Sequence, residues 1–346
     1  MDYSFQGVSK WLKISFTRQK LPPFLIFFVT HKCNLLCEHC FYWKQIEERR
    51  TSDLNIGEIE KLSKQLGRLY NLLISGGEPF LRDDLETICD IFYRNNNTSK
   101  IIIPTNGFMP EKIHKITKDI LERCPGMTLE LNLSLDGMQG VHDKLRGIKG
   151  SFQNALKTYK LLTSLKDQYK NFKLYIATTI SNVNIKELPV FENFVKNNMQ
   201  TIDGHLFAFF RDSGRDENIF FPQDEYRKLL SDSVTNKHIG IDRLLIKAKM
   251  ATLRDKKQLI KCLAGGIIGV IDYNGDVRLC ELSKPIGNIR EDDFPSIWYS
   301  EAAQTERKKI KEGKCYCSHE CFIAPSTLYS CSNLFRSIII YLRERH

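Results

Sequence analysis

Three closely spaced cysteines are the part of this sequence that most directly indicates chemistry. Cys33, Cys37 and Cys40 follow one another at C-x3-C-x2-C spacing. Three thiolates on one short loop can bind three corners of an iron–sulfur cube and leave the fourth iron without a protein ligand. Zinc is the alternative, but a zinc site usually has a second matching pair, and the next cysteines, Cys89 and Cys124, are isolated. The spacing therefore favours a reactive iron–sulfur cluster.

The elements around these cysteines place them at the end of a strand. Residues 24–30 form a continuous apolar run, which predicts a strand buried on both faces. A helical stripe over 56–66 and a second strand over 70–75 follow, and this strand runs into Gly76-Gly77-Glu78-Pro79. Adjacent glycines let the backbone approach a ligand closely, and a carboxylate beside them can bind an ammonium group. Both motifs thus follow strands, the end at which barrels of alternating strands and helices carry their chemistry.

Together the two motifs resemble those of the radical S-adenosylmethionine (radical SAM) enzymes. The resemblance rests on the cysteine spacing, on the aromatic Phe41 directly after it and on the Gly-Gly-Glu-Pro turn one strand later. It implies a [4Fe–4S] cluster whose open iron chelates S-adenosylmethionine and whose electron releases a 5′-deoxyadenosyl radical. It also implies that Gly76, Gly77 and Glu78 hold the amino group of the cofactor.

Polar residues near later strand ends are further candidates for cofactor binding. Ser134 and Asp136 alternate along the fourth predicted strand, so both can point inward near its end. The resemblance implies that these two residues and Asn182 contact the ribose or adenine, and that Arg146 faces the cofactor carboxylate or the substrate. The alternative is that Asp136 and Asn182 only cap turns and that Arg146 is exposed in a loop.

Strand and helix patterns alternate six times over about 190 residues, which predicts an α/β fold with a parallel, partly closed barrel. The family resemblance implies the same partial (β/α)6 TIM-like barrel. The predicted strands are 24–30, 70–75, 100–107 with its turn, 129–135, 174–180 and 202–210. The predicted helices are 56–66, 84–93, 110–121, 152–165 and 185–197.

A second group of cysteines begins at Cys262. An Asn-Gly pair at residues 274–275 predicts a hairpin that brings Cys262 and Cys280 together. This pattern resembles the SPASM and twitch extensions, which bind auxiliary iron–sulfur clusters. After a predicted helix over 294–311 the chain has C-x-C-x3-C, whereas the full two-cluster SPASM form has C-x2-C-x5-C-x3-C. We therefore expect at least one auxiliary [4Fe–4S] cluster, with a zinc ribbon as the alternative. The expected ligands are Cys262, Cys280 and two of Cys315, Cys317 and Cys321, with Cys331 unassigned.

Composition and length agree with a cytoplasmic redox enzyme. The chain has 346 residues, eleven cysteines and a net charge of +10, and it shows no signal peptide and no apolar run long enough for a membrane span. No arginine-rich stripe or aromatic RNA motif indicates nucleic acid. The predicted parts are a basic amphipathic segment (1–23), the barrel (24–240) and a cysteine-rich extension with a C-terminal helix (241–346). Apolar stretches with lysines and arginines at both ends permit peripheral membrane contact, although packing on the barrel is the plainer interpretation.

The resemblance implies hydrogen abstraction from a substrate, followed by dehydrogenation, bond formation or epimerisation, with electrons from an external reductant such as flavodoxin or ferredoxin. Only 23 residues precede the first strand, which weighs against a leader-binding domain. We therefore expect a small metabolite or a lipid precursor as substrate, with a peptide or protein maturase as the alternative. A non-enzymatic iron–sulfur or zinc protein that binds a partner is the hypothesis from a different class.

Overall fold

The computed structural model describes residues 21–48, 51–211, 214–231 and 241–343. Nearly all of the predicted N-terminal segment 1–23, and the predicted domain boundary at residue 240, lie outside the described residues. None of the helices in the described ranges is long and apolar enough to cross a membrane.

One nine-stranded sheet organises the described part of the chain, in the order β6-β5-β4-β3-β2-β1-β7-β8-β9. Neighbouring strands from β1 to β6 pair in parallel, so the predicted six-stranded partial barrel is confirmed. The strands are β1 (Phe24–Thr30), β2 (Asn71–Gly76), β3 (Lys100–Thr105), β4 (Thr128–Ser134), β5 (Phe172–Ile180), β6 (Gly204–Phe209), β7 (Ile268–Ile271), β8 (Asp276–Arg278) and β9 (Gly287–Asn288).

The helices alternate with these strands along the barrel and then form a group around the extension. In the described ranges they are α1 (Trp43–Glu48), α2 (Ile56–Gln65), α3 (Leu85–Asn96), α4 (Pro110–Arg123), α5 (Gln139–Arg146), α6 (Ser151–Gln168), α7 (Leu188–Asn198), α8 (Gln223–Ser231), α9 (Ile241–Asp255), α10 (Phe294–Tyr299), α11 (Glu301–Lys311), α12 (Glu320–Leu328) and α13 (Cys331–Arg343). Helices α1, α5, α8, α9 and α12 were not predicted.

The predicted single helix over 294–311 is wrong, because the chain forms two helices there. Ser300 leaves the helical conformation with ψ of 161°, and its hydroxyl accepts a hydrogen bond from the backbone N–H of Ala303. A serine in this position satisfies an N–H at the start of a helix that would otherwise lack a partner. Ser300 therefore ends α10 and begins α11.

The two faces of β4 show which side of the sheet is the barrel interior. Leu131 and Leu133 are fully buried, and Leu133 lies beside Ala155 of α6 on the helix-covered side. Asn132 and Ser134 point to the opposite face and are only half-buried. The interior of the partial barrel is therefore polar near the carboxyl end of β4.

The extension begins within the same sheet. Strand β7 pairs in parallel with β1, and β7 and β8 form the predicted hairpin. Gly275 adopts a φ of +93° in the turn, a conformation that favours glycine. The cysteine-rich segment is consequently paired with β1, the strand that leads into the loop of Cys33, Cys37 and Cys40.

Candidate active site and iron–sulfur sites

The loop after β1 carries the three motif cysteines, and all three are partly buried. Burial raises the pKa of Cys33 to about 12 and that of Cys40 to about 11, and it raises the pKa of Cys37 as well. Ionised thiols at such positions need a nearby cation, because burial disfavours the charged form. Bound iron supplies that positive charge, so the site is chemically suited to metal-bound thiolates.

Gly76 and Gly77 are packed against the cysteine loop. A Cβ atom on Gly76 would lie 2.3 Å from the Thr30 carbonyl oxygen, and one on Gly77 would lie 2.0 Å from that of Lys32. The Gly77 N–H donates to the Thr30 carbonyl at 2.9 Å, and the Glu78 N–H donates to the Lys32 carbonyl at 2.8 Å. The two glycines thus allow the end of β2 to support the loop that carries Cys33.

Glu78 is buried, and its carboxylate already has protein partners. It accepts hydrogen bonds from the Asn106 N–H at 2.7 Å, the Thr105 hydroxyl at 2.9 Å and the Phe80 N–H at 3.3 Å. Burial raises the pKa of Glu78 to about 7, although these hydrogen bonds oppose the increase. The carboxylate therefore joins the ends of β2 and β3 next to the cysteine loop.

Asp136 and Arg146 form a buried ion pair next to Cys37. Arg146 Nε and Nη2 lie 2.8 and 2.7 Å from Asp136 Oδ2, and Arg146 Nη1 lies 3.9 Å from Cys37 Sγ. Asp136 Oδ1 accepts a further hydrogen bond from the Thr179 N–H at 2.9 Å. Burial would raise the pKa of Asp136, but the charge of Arg146 and two nearby histidines hold it below its usual value. Arg146 is therefore neither exposed nor in a flexible loop, and it presents a donor to a motif cysteine.

The segment around Arg146 also supports the backbone of the cysteine loop. The Leu36 N–H donates to the Arg146 carbonyl at 3.3 Å, and the Glu38 N–H donates to the Leu145 carbonyl at 2.9 Å. Gly147 has a φ of +70°, and a Cβ there would lie 2.5 Å from the Leu36 carbonyl oxygen. Helix α5 and the glycine after it are thus part of the site.

Ser134 and Asn182 have different environments. Ser134 ends β4 on the half-buried interior face, in register with Ala177 of β5. The Asn182 side chain donates to the Asn218 carbonyl at 3.1 Å and accepts from the Phe220 N–H at 3.1 Å. Ser134 therefore faces the barrel interior, whereas Asn182 holds the segment around residues 218–220.

Phe41 connects the cysteine loop with the extension through Arg211, which the sequence analysis did not identify. The guanidinium carbon of Arg211 lies 4.3 Å from the centre of the Phe41 ring. Arg211 also forms an ion pair with the buried Glu281, and His319 Nδ1 lies 3.8 Å from Glu281. Arg211 follows β6, Glu281 follows Cys280, and His319 lies between Cys317 and Cys321. This polar group lies between the two sets of cysteines.

Asp53 is a second residue that sequence reasoning missed. It accepts hydrogen bonds from the Thr30 hydroxyl at 2.7 Å and from the His31 N–H at 3.1 Å, and it lies 2.8 Å from His31 Nδ1. Asp53 therefore orders the first residues of the cysteine loop. It lies 20 positions after Cys33 in an irregular segment, so no motif marks it.

Four cysteines of the extension line one cavity of about 100 Å³: Cys262, Cys280, Cys315 and Cys317. Cys321 lies outside that lining, in a position where Glu281 and Arg211 act on its thiol. Cys331 is exposed at the start of α13. Of the three alternatives for the last two ligands, the structure places Cys315 and Cys317 with the hairpin cysteines.

Comparisons with known proteins identify the family of this chain. The Radical SAM superfamily profile matches residues 27–195, and the profile of the SPASM iron–sulfur cluster-binding domain matches residues 262–322. The chain is 30% identical to the Fe-coproporphyrin III synthase of Methanosarcina barkeri, over 82% of this chain and 75% of that protein. It is 27% identical to the subtilosin biosynthesis protein AlbA of Bacillus subtilis, over 81% of this chain, and spans 60% of AlbA. It is 26% identical to the mycofactocin maturase MftC of Mycolicibacterium smegmatis, over 86% of this chain and 76% of that protein.

Two solved structures share the fold. Streptococcus suis SuiB bound to the precursor peptide SuiA has a TM-score of 0.61 at 17% identity, over 88% of this chain and 70% of SuiB. The enzyme anSMEcpe, with bound AdoMet and a peptide, has a TM-score of 0.61 at 16% identity, over 93% of this chain and 99% of that chain. This chain therefore belongs to the radical SAM superfamily, as an enzyme with a C-terminal SPASM extension.

The family implies a [4Fe–4S] cluster, S-adenosylmethionine and auxiliary iron–sulfur clusters, and the residues present fit these groups. Three partly buried thiols share one loop, a guanidinium N–H lies beside one of them, and four thiols of the extension line one cavity. Within the described ranges, no three Cys, His, Asp or Glu side chains converge on a position for a single metal ion.

Proposed function

We propose that this radical SAM enzyme modifies a peptide or protein substrate. The observation that carries the proposal is the similarity to AlbA and MftC, a bacteriocin biosynthesis protein and a maturase, across more than four fifths of the chain. The expected small metabolite or lipid substrate has less support from these relatives. The chain spans 60% of the length of AlbA, so a substrate like that of the whole AlbA protein is assigned here only as a proposal.

Cys33, Cys37 and Cys40 hold the cluster that binds S-adenosylmethionine in this proposal. When bound, the cluster and its cosubstrate supply a radical that removes a hydrogen atom from an unactivated C–H bond. Gly76, Gly77 and Glu78 shape the neighbouring backbone. Arg146 supplies positive charge and an N–H donor beside Cys37, and Asp136 positions Arg146. Phe41 and Ser134 border the space for the nucleoside.

The open edge of the barrel supports an extended peptide as the substrate. Strand β6 is the last strand of the sheet on its side, and no further strand of the described part of the chain pairs with its outer edge. Such an edge can bind a peptide as an added strand through backbone hydrogen bonds. The carboxyl end of β6 leads to Arg211, which lies over Phe41. A peptide along this edge is thereby directed toward the cysteine loop.

We assign the auxiliary cluster to Cys262, Cys280, Cys315 and Cys317, which line one cavity. An external reductant such as flavodoxin or ferredoxin supplies the electron to the cluster held by Cys33, Cys37 and Cys40. All eleven cysteines are free of disulfide bonds, which supports the cytoplasm as the compartment.

Product analysis after anaerobic reconstitution tests the proposal. The enzyme is reconstituted with iron and sulfide, reduced with dithionite and given S-adenosylmethionine with synthetic peptides encoded by short reading frames beside its gene. We expect peptide-dependent 5′-deoxyadenosine and a peptide that has lost hydrogen atoms or gained a crosslink, both absent in Cys37→Ala. Failure of every such peptide to change in mass or in the configuration of any residue would contradict the peptide proposal.

A tetrapyrrole is the second candidate substrate. The identity of 30% with an Fe-coproporphyrin III synthase, over three quarters of that protein, favours it. A parallel reaction without peptide separates the two candidates: an iron-containing tetrapyrrole precursor is supplied, and Fe-coproporphyrin III, the product named for this relative, is measured. Formation of Fe-coproporphyrin III in the absence of peptide modification would favour the second candidate.

A further inference from the structure

The C-terminal helix α13 presents apolar side chains to solvent. Phe335 is 64% exposed, Ile338 is 41% exposed and Leu342 is 52% exposed. These positions are separated by three and four residues, so the three side chains form one stripe along the helix. The fully buried side chains of α13 are the polar Asn333 and Ser337. Leu334, Ile339, Ile340 and Tyr341 are half-buried, so α13 turns part of its apolar surface toward the core, as surface helices ordinarily do, and leaves Phe335, Ile338 and Leu342 outside.

Hydrogen bonds determine this orientation. The Asn333 amide donates to the carbonyls of Lys261 and Ser326, both at 2.8 Å, and accepts from the Lys261 N–H at 3.1 Å. The Ser337 hydroxyl has its partner within α13, since it donates to the Asn333 carbonyl one turn earlier at 2.9 Å. Rotation of α13 to bury its apolar stripe would break the bonds of Asn333 and leave buried polar groups without partners, which is unfavourable. The outward stripe is therefore a specified feature of the fold.

The charge beside the stripe has one sign. Arg336 and Arg343 are exposed on α13, and the helix contains no acidic residue. The whole chain carries a net charge of +10. A second copy of α13 would bring like charges together, whereas a surface of anionic lipids would attract them.

The sequence contains a second basic and apolar stretch. Residues 10–20 contain three lysines and one arginine, together with Trp11, Leu12, Ile14 and Phe16. They precede β1, whose first residue Phe24 packs against Tyr329, with ring centres 4.9 Å apart. Tyr329 lies two residues before α13. Because both stretches are basic, they favour the same anionic partner and not one another.

We propose that the outer face of α13, formed by Phe335, Ile338 and Leu342, docks this enzyme on an anionic lipid bilayer. The three apolar side chains enter the boundary between headgroups and acyl chains, and Arg336 and Arg343 contact the lipid phosphates. This inference does not depend on the identity of the substrate. It places the auxiliary cavity near the membrane. The reason is that Asn333 of α13 bonds to the backbone N–H and carbonyl of Lys261, the residue before Cys262.

Vesicle sedimentation of the full-length reconstituted enzyme tests the proposal. The probes are vesicles of phosphatidylcholine with an equal amount of phosphatidylglycerol, and vesicles of phosphatidylcholine alone. We expect preferential binding to the anionic vesicles that weakens with added salt. The triple variant Phe335→Ser/Ile338→Ser/Leu342→Ser is expected to bind at least about tenfold more weakly, since each buried apolar side chain contributes to the transfer free energy.

A matched control is Val190→Ser, which removes an apolar side chain that is 61% exposed on α7. It is expected to bind anionic vesicles like the wild type. Circular dichroism reports whether each variant is folded. Formation of 5′-deoxyadenosine without substrate reports whether it carries the cluster that binds S-adenosylmethionine. Unchanged binding by a folded triple variant would overturn the proposal. The proposal would also be overturned if the wild type formed a dimer that the triple substitution dissociated, and if neither protein bound vesicles.

Discussion

Arg146 Nη2 lies 2.7 Å from Asp136 Oδ2, and both side chains are buried directly beside Cys37. The carboxylate holds the guanidinium so that its remaining nitrogen points toward a cysteine of the radical SAM motif. Neither residue is adjacent in sequence to the cysteines, since Arg146 and Cys37 are 109 positions apart. The pair thus connects the end of β4 and the end of α5 to the cysteine loop.

Loss of Asp136 is expected to destabilise the fold because it leaves the Arg146 charge buried without a partner. Asp136→Ala should lower the free energy of unfolding by about 3–5 kcal/mol. The double variant Asp136→Ala/Arg146→Met should lose less than the sum of the two single variants. Urea unfolding of the cluster-free protein, followed by circular dichroism, measures all three. Additive losses would show that the ion pair is not energetically coupled.

Gly77→Ala is expected to impair cluster assembly. The new Cβ would lie 2.0 Å from the Lys32 carbonyl oxygen, so the cysteine loop must move. A displacement of this kind should reduce uncoupled S-adenosylmethionine cleavage by about 100-fold. Iron content after reconstitution and 5′-deoxyadenosine yield are the measurements.

The matched control is Gly67→Ala, because no atom lies within 4 Å of a Cβ added at Gly67. This variant should assemble its clusters and cleave the cosubstrate at the wild-type rate. Equal behaviour of the two alanine variants would argue against the close approach at Gly77.

The ligands of the auxiliary cluster can be identified in a protein that lacks the first cluster. That protein is the triple variant Cys33→Ala/Cys37→Ala/Cys40→Ala. In this background Cys262→Ala, Cys280→Ala, Cys315→Ala and Cys317→Ala should each lower the retained iron, because these four residues line one cavity. Cys321→Ala should retain as much iron as the triple variant without further substitution. Iron analysis and electron paramagnetic resonance of the reduced protein distinguish the variants. A loss in Cys321→Ala as large as in Cys280→Ala would contradict the assignment.

Buried histidines should make the cluster-free protein sensitive to acid. Burial lowers the pKa of His142 to about 4, and the charge of Arg146 acts in the same direction. Between pH 6.5 and pH 4 the unfolded state therefore binds more protons than the folded state, so stability falls as the pH falls through this range. His142→Phe should reduce that fall by about 3 kcal/mol.

Urea unfolding at several pH values, compared between the wild type and His142→Phe, measures this difference. His39, with a pKa lowered to about 4 by burial, titrates over the same range and remains in both proteins. Parallel stability curves for the two proteins would show that His142 does not contribute.

Much of the fold was predictable because it depends on local patterns. Strand β1 has the predicted bounds, since a parallel strand buried on both faces is a continuous apolar run. The division at Ser300 was missed, because a capping hydroxyl within a helical pattern is a weak signal. Helix α5 was missed as a helix, although its segment was singled out for Arg146.

The amino-acid sequence by itself determined the class of chemistry and the alternation of six strands with helices in the barrel. These features are the cysteine spacing, the glycine pair and the alternation of strands and helices. Each depends on residues that are close together in the sequence, so it can be predicted without the tertiary structure. Only the tertiary structure decided how these residues act on one another. The pairing of Asp136 with Arg146, the position of Arg211 between Phe41 and Glu281, and the outward face of α13 are contacts between distant segments. Their partners are selected by burial and hydrogen bonding in the folded chain, which no local pattern encodes.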